Sequence, residues 1–326
     1  CGKKKKGEKM NWLGIDVGSV STDLVVIDEK NNVLKKLYLK TEGNPIRAVE
    51  QGMEILGQEF QAGDIAGAGT TGSGRAIAAM MIGADAVKNE ITAHGRAVAE
   101  LYPEVRTVFE IGGQDSKIIL IKDGYVRDFA MNTVCAAGTG SFLDRQAERM
   151  GIKTSDIGEL ALRADMPASI AGRCAVFAES DIIHKQQMGV SMENILAGMC
   201  RALVRNYMSN GAKGKKLEPG FCFQGGVSCN GGIKKAFEEE IGAEVAIPEH
   251  NTVMGAVGAA IIARESAAKN KSRFRGFDAA FGEVHTEEFT CSGCGNSCQV
   301  IRLMKGETQL GCFQDRCGRY QSGAGA

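Results

Sequence analysis

The sequence is poor in proline and in aromatic residues, and its charges balance. Its 326 residues include 5 Pro and 1 Trp, aromatic residues make up 6 %, and 39 Lys and Arg offset 39 Asp and Glu. A net charge of zero argues against nucleic acid or an anionic membrane as the main partner. No apolar run approaches the ~18 residues of a membrane span. No secretory leader is recognisable, so a cytoplasmic location is expected.

Glycine and cysteine, by contrast, are plentiful. Glycine accounts for 43 residues, near twice the usual share of about 7 %. With so little proline, this excess indicates tight turns and close backbone approaches rather than loose linkers. The 11 cysteines are expected to be reduced thiols, since no export signal accompanies them.

An internal repeat indicates the fold class. Residues 13–31 resemble residues 107–125 at an offset of 94, which aligns Asp16 with Glu110. Each copy reads as an apolar strand ending in an acid, a glycine turn, a second apolar strand and a third, alternating strand. The third strands are expected at 33–39 and 125–131. Helical patterns in the intervals complete two similar α/β lobes; they are predicted over 45–58, 141–150, 191–209, 230–240 and 253–264.

Three glycine turns predict a site for Mg²⁺ and a nucleotide triphosphate. Each follows a strand, so its backbone amides can approach phosphate, and the acids that end two of the strands suit hydrated Mg²⁺. Asp16 and Glu110 are the candidate catalytic acids, with Asp16 holding Mg²⁺ through water. The candidate nucleotide-binding residues are Gly18, Ser19, Thr22, Gly112, Gly113, Gln114, Gly225, Gly226 and Asn230.

These segments resemble ATPases of the actin, sugar-kinase and heat-shock-70 fold. GIDVGS, EIGGQDSK and FQGGVSCN match that family's two phosphate elements and its adenosine element, and the resemblance covers about residues 11–265. It implies two ribonuclease-H-like lobes that bind ATP or ADP. Glu110 stands where many members carry aspartate, and the longer acid is expected to reach Mg²⁺ through water.

Two cysteines in the middle of the chain form a second candidate site. Cys135 and Cys174 each precede a predicted helix, where free amides and the helix dipole stabilise a thiolate. A two-fold dimer would bring together the four thiolates that an iron–sulfur cube needs. From spacing alone, two buried structural thiols are the favoured interpretation.

A more specific resemblance reverses that preference. CAAGTGSF and GRCAVFAESDIIH are similar to the cluster-ligand segments of the ATP-dependent activators of 2-hydroxyacyl-CoA dehydratases, a group that includes benzoyl-CoA reductase ATPase subunits and double-cubane-cluster reductases. The resemblance implies a homodimer sharing one [4Fe–4S] cluster, with Cys135 and Cys174 as ligands. It also implies ferredoxin or flavodoxin as electron donor and a dehydratase-like or reductase-like metalloenzyme as acceptor.

A cysteine-rich tail follows the two lobes. Its knuckle spacing, C-x2-C-x3-C-x13-C-x4-C, is typical of metal ligands, and Zn²⁺ or a second iron–sulfur cluster is expected there. The alternative is a flexible, reduced tail. Its cysteines are Cys291, Cys294, Cys298, Cys312 and Cys317.

The predicted organisation divides the chain into five parts. They are a disordered basic arm at 1–10, a first lobe at 11–105 completed by a helix at 252–264, a second lobe at 106–251, a linker at 265–284, and a separable metal module at 285–320. Two other functions stay open: a small-molecule kinase of the same fold, and a non-redox regulator with a zinc tail.

Overall fold

A computed structural model describes residues 10–133, 135–267 and 271–320. The basic arm predicted at 1–10 therefore lies outside the described residues, apart from Met10. The strands are β1 (Asn11–Val17), β2 (Ser21–Ile27), β3 (Val33–Lys40), β4 (Ile65–Gly72), β5 (Ala86–Val87), β6 (Thr107–Ile111), β7 (Ser116–Lys122), β8 (Tyr125–Asn132), β9 (Phe221–Gln224), β10 (Val245–Ala246), β11 (Val284–Thr290), β12 (Gln299–Lys305) and β13 (Thr308–Phe313). The helices are α1 (Pro45–Gly57), α2 (Arg75–Ile82), α3 (Glu90–Leu101), α4 (Gly140–Met150), α5 (Ile157–Leu162), α6 (Ala175–Gln187), α7 (Met192–Gly211), α8 (Gly231–Ile241) and α9 (Met254–Ala267).

The chain divides into two compact units, each with its own sheet. The first takes in residues up to 97 and from 255 onward, and the second is 98–254. The first sheet has the order β3-β2-β1-β4-β5, and the second, read in the same sense, is β8-β7-β6-β9-β10. In both, the first three strands are antiparallel and the fourth pairs in parallel with the first. This identity of topology confirms the repeat that the sequence predicts.

The helices begin and end where local sequence signals place them. Ser191 caps α7 by accepting a hydrogen bond from the Asn194 amide, and Asn230 caps α8 in the same way through Ile233. Gly151 ends α4 in the left-handed conformation, with φ 69°. Such caps satisfy amides and carbonyls that would otherwise face the end of a helix without a partner.

The core of the second unit is an aromatic stack between its sheet and helices. Phe109 of β6 lies parallel to Phe237 of α8 at a centroid distance of 4.7 Å, and the Tyr207 ring of α7 meets both edge-on. These rings are almost fully buried. The stack fixes β6, which carries the second candidate acid, against α7, which lies beside both candidate cluster cysteines.

The cysteine-rich tail forms a third sheet that packs on the first unit. Its strands pair in the order β11-β12-β13. Leu303 of β12 and Phe277, which precedes the sheet, are buried in the same core as the first unit's strands. Gly311 of β13 lies so close to Met80 of α2 that a Cβ there would be 2.4 Å from the Met80 sulfur. The tail sheet thus extends the first unit's core.

The segment predicted as a linker also has defined contacts. Helix α9 extends to Ala267. Beyond it, the Arg273 amide donates to the Asp85 carboxylate at 2.7 Å and the Arg273 guanidinium donates to the Ala84 carbonyl at 2.7 Å. The described part of this segment therefore lies along the first unit. Its boundaries as a domain element stay a prediction.

Candidate nucleotide and cluster sites

The first glycine turn presents an acid at the end of β1. Asp16 is the penultimate residue of that strand, and the Gly18 amide donates to the Ser21 carbonyl at 2.8 Å to close the turn. Ser19 is exposed at its tip, where its hydroxyl and amide are accessible to a phosphate. Asp16 is mostly buried, with 15 % of its side chain exposed. The turn therefore combines an accessible tip with a carboxylate held in a fixed place.

Helices α3 and α9 cover the Asp16 carboxylate. His94 of α3 is buried, and its Nε2 lies 4.0 Å from Asp16 Oδ2. Gly255, in the first turn of α9, lies so close that a Cβ there would be 1.9 Å from the same oxygen. Only glycine fits at this approach. No sequence pattern pointed to His94, because its nearness to Asp16 is created by packing.

Thr22 lies apart from the other predicted phosphate ligands. It is fully buried, and its hydroxyl is 2.9 Å from that of Thr41, which donates in turn to the Gly18 carbonyl at 2.8 Å. Successive residues of a strand point to opposite faces, so Thr22 and Asp23 face opposite sides of the sheet. Through Thr41, Thr22 thus helps to hold the backbone of the turn in place.

Asp23, the neighbour of Thr22, was not foreseen as a site residue. It pairs directly with Asp16 across β1 and β2. Burial raises the pKa of Asp23 well above its ordinary value, and the charge of Asp16 raises it further. The sequence shows an acid at this position of the first copy only, since the second copy has Lys117 there, and only the strand register shows that the two acids are opposite each other.

The second glycine turn is joined to helix α4. The Gly112 amide donates to the Asp115 carbonyl at 3.0 Å to close the turn, while Gln114 is exposed at its tip. The Gly112 carbonyl accepts from the Gly140 amide at 2.9 Å, and the Gly113 carbonyl accepts from the Ser141 amide at 2.8 Å. Gly140 and Ser141 are the first two residues of α4. These two bonds join the turn directly to the start of the helix.

Glu110, which ends β6 next to this turn, is held in a buried ion pair. Lys117 Nζ lies 2.9 Å from its carboxylate and 2.8 Å from that of Asp115. Burial raises the pKa of Glu110, and the Lys117 ammonium opposes that rise. Because Lys117 already neutralises it, Glu110 is a weaker candidate than Asp16 for a direct role at Mg²⁺.

The third glycine turn packs against the second. Gly225 has φ 89°, and a Cβ there would lie 2.4 Å from the Ile111 carbonyl oxygen. Its amide donates to the Asn251 carbonyl, and Gly226 is exposed beside it. Asn230 caps α8 just beyond. The predicted adenosine element is therefore a rigid turn with an exposed glycine.

Cys135 and Cys174 lie in equivalent local positions in the second unit. Both are half-buried free thiols. Cys135 precedes the short 3₁₀ turn 136–138, and Cys174 is the N-cap of the 13-residue helix α6. Asn132 holds the Cys135 backbone at both ends, since its amide group bonds the Cys135 N–H and C=O at 2.9 Å each.

A buried asparagine joins the two cysteine segments. Asn206 of α7 is 1 % exposed. Its Oδ1 accepts from the Cys135 thiol at 3.5 Å, and its Nδ2 donates to the Arg173 carbonyl, next to Cys174, at 3.2 Å. Gly138 lies against the same side chain, because a Cβ there would be 3.0 Å from Asn206 Oδ1. Both cysteine segments are thus positioned by one side chain.

Apolar side chains surround this site on the surface. Val176 and Phe177, in the first turn of α6, are 68 % and 66 % exposed. Their position directly after Cys174 places exposed apolar area beside the candidate ligand. Buried Cys200 and Cys222 lie away from it, and burial raises the pKa of each thiol to about 12. Cys229, beside the third glycine turn, is exposed.

The tail cysteines lie at one end of the third sheet. Cys291 and Cys312 are buried together, while Cys294 and Cys317 are exposed. The Gly293 amide donates to Cys291 Sγ at 3.4 Å, and this bond is the first cause of the lowered pKa of that thiol. Within the described ranges, no three His, Cys, Asp or Glu side chains are arranged to hold a metal ion. The tail metal therefore stays a prediction.

A known protein family matches most of this chain. The profile of the BadF/BadG/BcrA/BcrD ATPase family matches residues 13–263. The (R)-2-hydroxyglutaryl-CoA dehydratase activating ATPase of Acidaminococcus fermentans is 34 % identical over 260 residues, covering 79 % of this chain and 98 % of the relative. The chain belongs to this ATPase family.

Two further relatives agree. The activator of lactoyl-CoA dehydratase from Anaerotignum propionicum is 33 % identical over 80 % of this chain and 100 % of its own length. The solved activator of 2-hydroxyisocaproyl-CoA dehydratase from Clostridium difficile, with bound ADPNP, superposes with a TM-score of 0.72 at 31 % identity, covering 80 % of this chain and 96 % of that one. The expected family and the actin-like ATPase fold are confirmed.

The tail is an addition to what these relatives have in common with the chain. The family match ends at residue 263, before the third sheet begins at Val284. Within the described ranges, no helix is long and apolar enough to cross a membrane.

Proposed function

We propose that this protein is an ATP-driven electron carrier. Two copies would hold one [4Fe–4S] cluster through Cys135 and Cys174 of each chain and pass one electron from ferredoxin or flavodoxin to a partner metalloenzyme. The acceptor would be a 2-hydroxyacyl-CoA dehydratase or a double-cubane reductase. The proposal includes a reducing, cytoplasmic location, since a low-potential cluster does not survive oxidation.

The link between the second glycine turn and helix α4 is the observation that carries the proposal. The carbonyls of Gly112 and Gly113 accept hydrogen bonds from the first two backbone amides of α4. Cys135 begins the short segment that leads into this helix. A change in phosphate contacts at the turn would therefore reach a candidate cluster ligand, since Cys135 is five positions before Gly140. Such a connection is what coupling of ATP hydrolysis to a redox group needs.

The residues at the cysteine pair fit an iron–sulfur cluster. Both thiols are free and partly accessible, and Cys174 lies at the N-terminus of α6, where the helix dipole favours an anionic ligand. Two thiolates per chain are half of a cube's ligands, so a second copy completes the set. When bound, the cluster would supply one-electron redox chemistry. Asn132 holds the Cys135 backbone, Asn206 bonds the Arg173 carbonyl next to Cys174, and Val176 and Phe177 offer apolar area that excludes water.

The nucleotide part of the proposal assigns roles to the two acids. Asp16 would position hydrated Mg²⁺, while Glu110 stays paired with Lys117 and fixes the base of its turn. The amides of Gly18 and Gly112 lie in turns of the kind that bind phosphate. Asp16→Ala is expected to lose most ATP hydrolysis, and near-normal turnover would transfer the metal role to Glu110.

Anaerobic metal analysis tests the cluster. Wild-type protein should contain about four iron atoms per two chains, beside any tail metal, and should bleach on reduction. Cys135→Ala and Cys174→Ala should each lose this iron, whereas Cys229→Ala, which removes an exposed cysteine of the same unit, should keep it. Colourless protein that hydrolyses ATP and contains only zinc would instead support the non-redox regulator.

The partner is tested by electron delivery. With reduced ferredoxin or flavodoxin present, the wild type should reduce a purified dehydratase only when ATP is hydrolysed. We propose the tail as a separate metal site, supported by the Gly293 amide that bonds Cys291 Sγ. Zinc or iron that persists in Cys135→Ala and disappears in Cys312→Ala would support it.

A further inference from the structure

A row of polar side chains crosses the first sheet at the level of Asp16. Asp23 of β2 and Thr71 of β4 are the direct register partners of Asp16 on its two sides. Directly paired residues project from the same face of a sheet, so a carboxylate and a hydroxyl flank the Asp16 carboxylate. Asp23 is 6 % exposed and Thr71 is fully buried.

Two atoms of this row are buried without a hydrogen bond. Asp23 Oδ1 and Thr71 Oγ1 find no partner among the described residues. A buried carboxylate or hydroxyl oxygen without a partner is costly. Polar atoms on both sides of one carboxylate therefore indicate that a further group belongs there.

The equivalent row of the second unit contains a basic residue that the first row lacks. This second row is Lys117, Glu110 and Gln224, and the offset of 94 places Lys117 where the first unit has Asp23. In the second unit the central acid is neutralised by an ammonium 2.9 Å away. In the first unit a carboxylate occupies the position of that ammonium.

The charges of the first row do not balance within the row. Like charges directly opposite each other in a sheet repel. His94 is a basic group beside this row, with its Nε2 4.0 Å from Asp16 Oδ2, and even when protonated it offsets one of the two carboxylates. A divalent cation would offset both, and carboxylate, hydroxyl and water oxygens are the ligands that Mg²⁺ and Mn²⁺ prefer.

We propose that Asp23 is a second carboxylate of a divalent-cation site centred on Asp16, with the Thr71 hydroxyl bonding a water of the ion. This inference rests on the proposed ATPase site and adds to it a metal-binding residue that its glycine turn does not contain. The second unit cannot form the same site, because Lys117 takes the place of Asp23.

Direct binding of Mn²⁺, measured by the loss of the free-ion EPR signal, tests the proposal with ADP present and absent. The variants are Asp23→Asn, Asp23→Lys and, as a matched control, Glu54→Gln, which removes an exposed carboxylate of the same unit. Asp23→Asn should weaken binding by about tenfold or more, as loss of a group that supports a metal typically does. Asp23→Lys, which copies the second unit's pair, should abolish binding at this site, and the control should match the wild type.

Fold and metal binding are separated by thermal unfolding. Asp23→Asn removes a repulsive charge while keeping the shape, so its Tm without metal should equal or exceed that of the wild type, whereas the rise in Tm with added Mn²⁺ should shrink. Wild-type Mn²⁺ affinity in Asp23→Asn, or no Mn²⁺ binding by wild type with or without ADP, would overturn the inference. Loss of the cluster in Cys135→Ala with unchanged Mn²⁺ binding would leave it standing, so it can fail independently of the electron-transfer proposal.

Discussion

Replacing Asn206 with leucine is expected to loosen both cysteine segments at once. The side chain is 1 % exposed and makes three hydrogen bonds: from the Cys135 thiol at 3.5 Å, to the Arg173 carbonyl at 3.2 Å and from the Asn210 side chain at 3.1 Å. Leucine has nearly the same size but can make none of them. In the cluster-free protein, where the Cys135 thiol carries its proton, these bonds contribute about 1 kcal/mol each, with the thiol bond the weakest, so the loss is about 2–3 kcal/mol.

The assay combines Tm with iron content after anaerobic reconstitution. Asn206→Leu should lower the Tm and retain well under half of the wild-type iron at the core site, because both cysteine segments lose the side chain that connects them. Asn210→Ala is the matched control: it removes one part-buried bond to Asn206 and should cost about 1 kcal/mol or less with full iron content. Wild-type Tm and iron in Asn206→Leu would refute the view that this residue positions the ligands.

Three further predictions concern side chains that are buried within one unit or the other. Lys117→Met leaves a buried carboxylate without its cation and should destabilise the second unit by about 3–5 kcal/mol, measured by urea denaturation; a change below 1 kcal/mol would mean that the ion pair is dispensable. Leu303→Ala should cost about 2–5 kcal/mol, since this side chain is fully buried in the first unit's core; unfolding of the tail alone, with the first unit's transition unchanged, would contradict the shared core. Alkylation of the native protein's thiols at pH 8, read out by mass spectrometry, should spare Cys200 and Cys222. Burial raises the pKa of both thiols to about 12, so they stay protonated and unreactive at pH 8. Modification of either cysteine at the rate of the exposed Cys229 would show that these thiols are not shielded.

Local sequence signals determined the six strands of the repeat and five of the nine described helices. Alternating apolar residues and glycine turns placed β1, β2, β6 and β7, and caps such as Ser191 placed the helices. These signals act over a few residues, which is why they can be read without the fold. The internal repeat extended them to topology, because two copies of one pattern build two sheets of one order.

Long and specific motifs also determined the family. The three glycine turns resemble the actin-like ATPase fold, and CAAGTGSF resembles the activator ATPases. Both resemblances agree with the family match over residues 13–263. The roles of single residues were harder to predict. Thr22 shares a turn with Ser19, yet the alternation of side chains along β2 directs it to the opposite face from Asp23.

Tertiary structure alone decided which distant groups meet. His94 and Gly255 are far from Asp16 in sequence and reach it only because α3 and α9 pack there. Asn206 connects two cysteine segments from a third helix, and no spacing rule records that contact. The tail sheet, predicted as a separable module, packs on the first unit because the apolar side chains on its inner face, Leu303 among them, need a covering layer. Periodicity shows that a face is apolar, but only the packed chain shows which surface covers it.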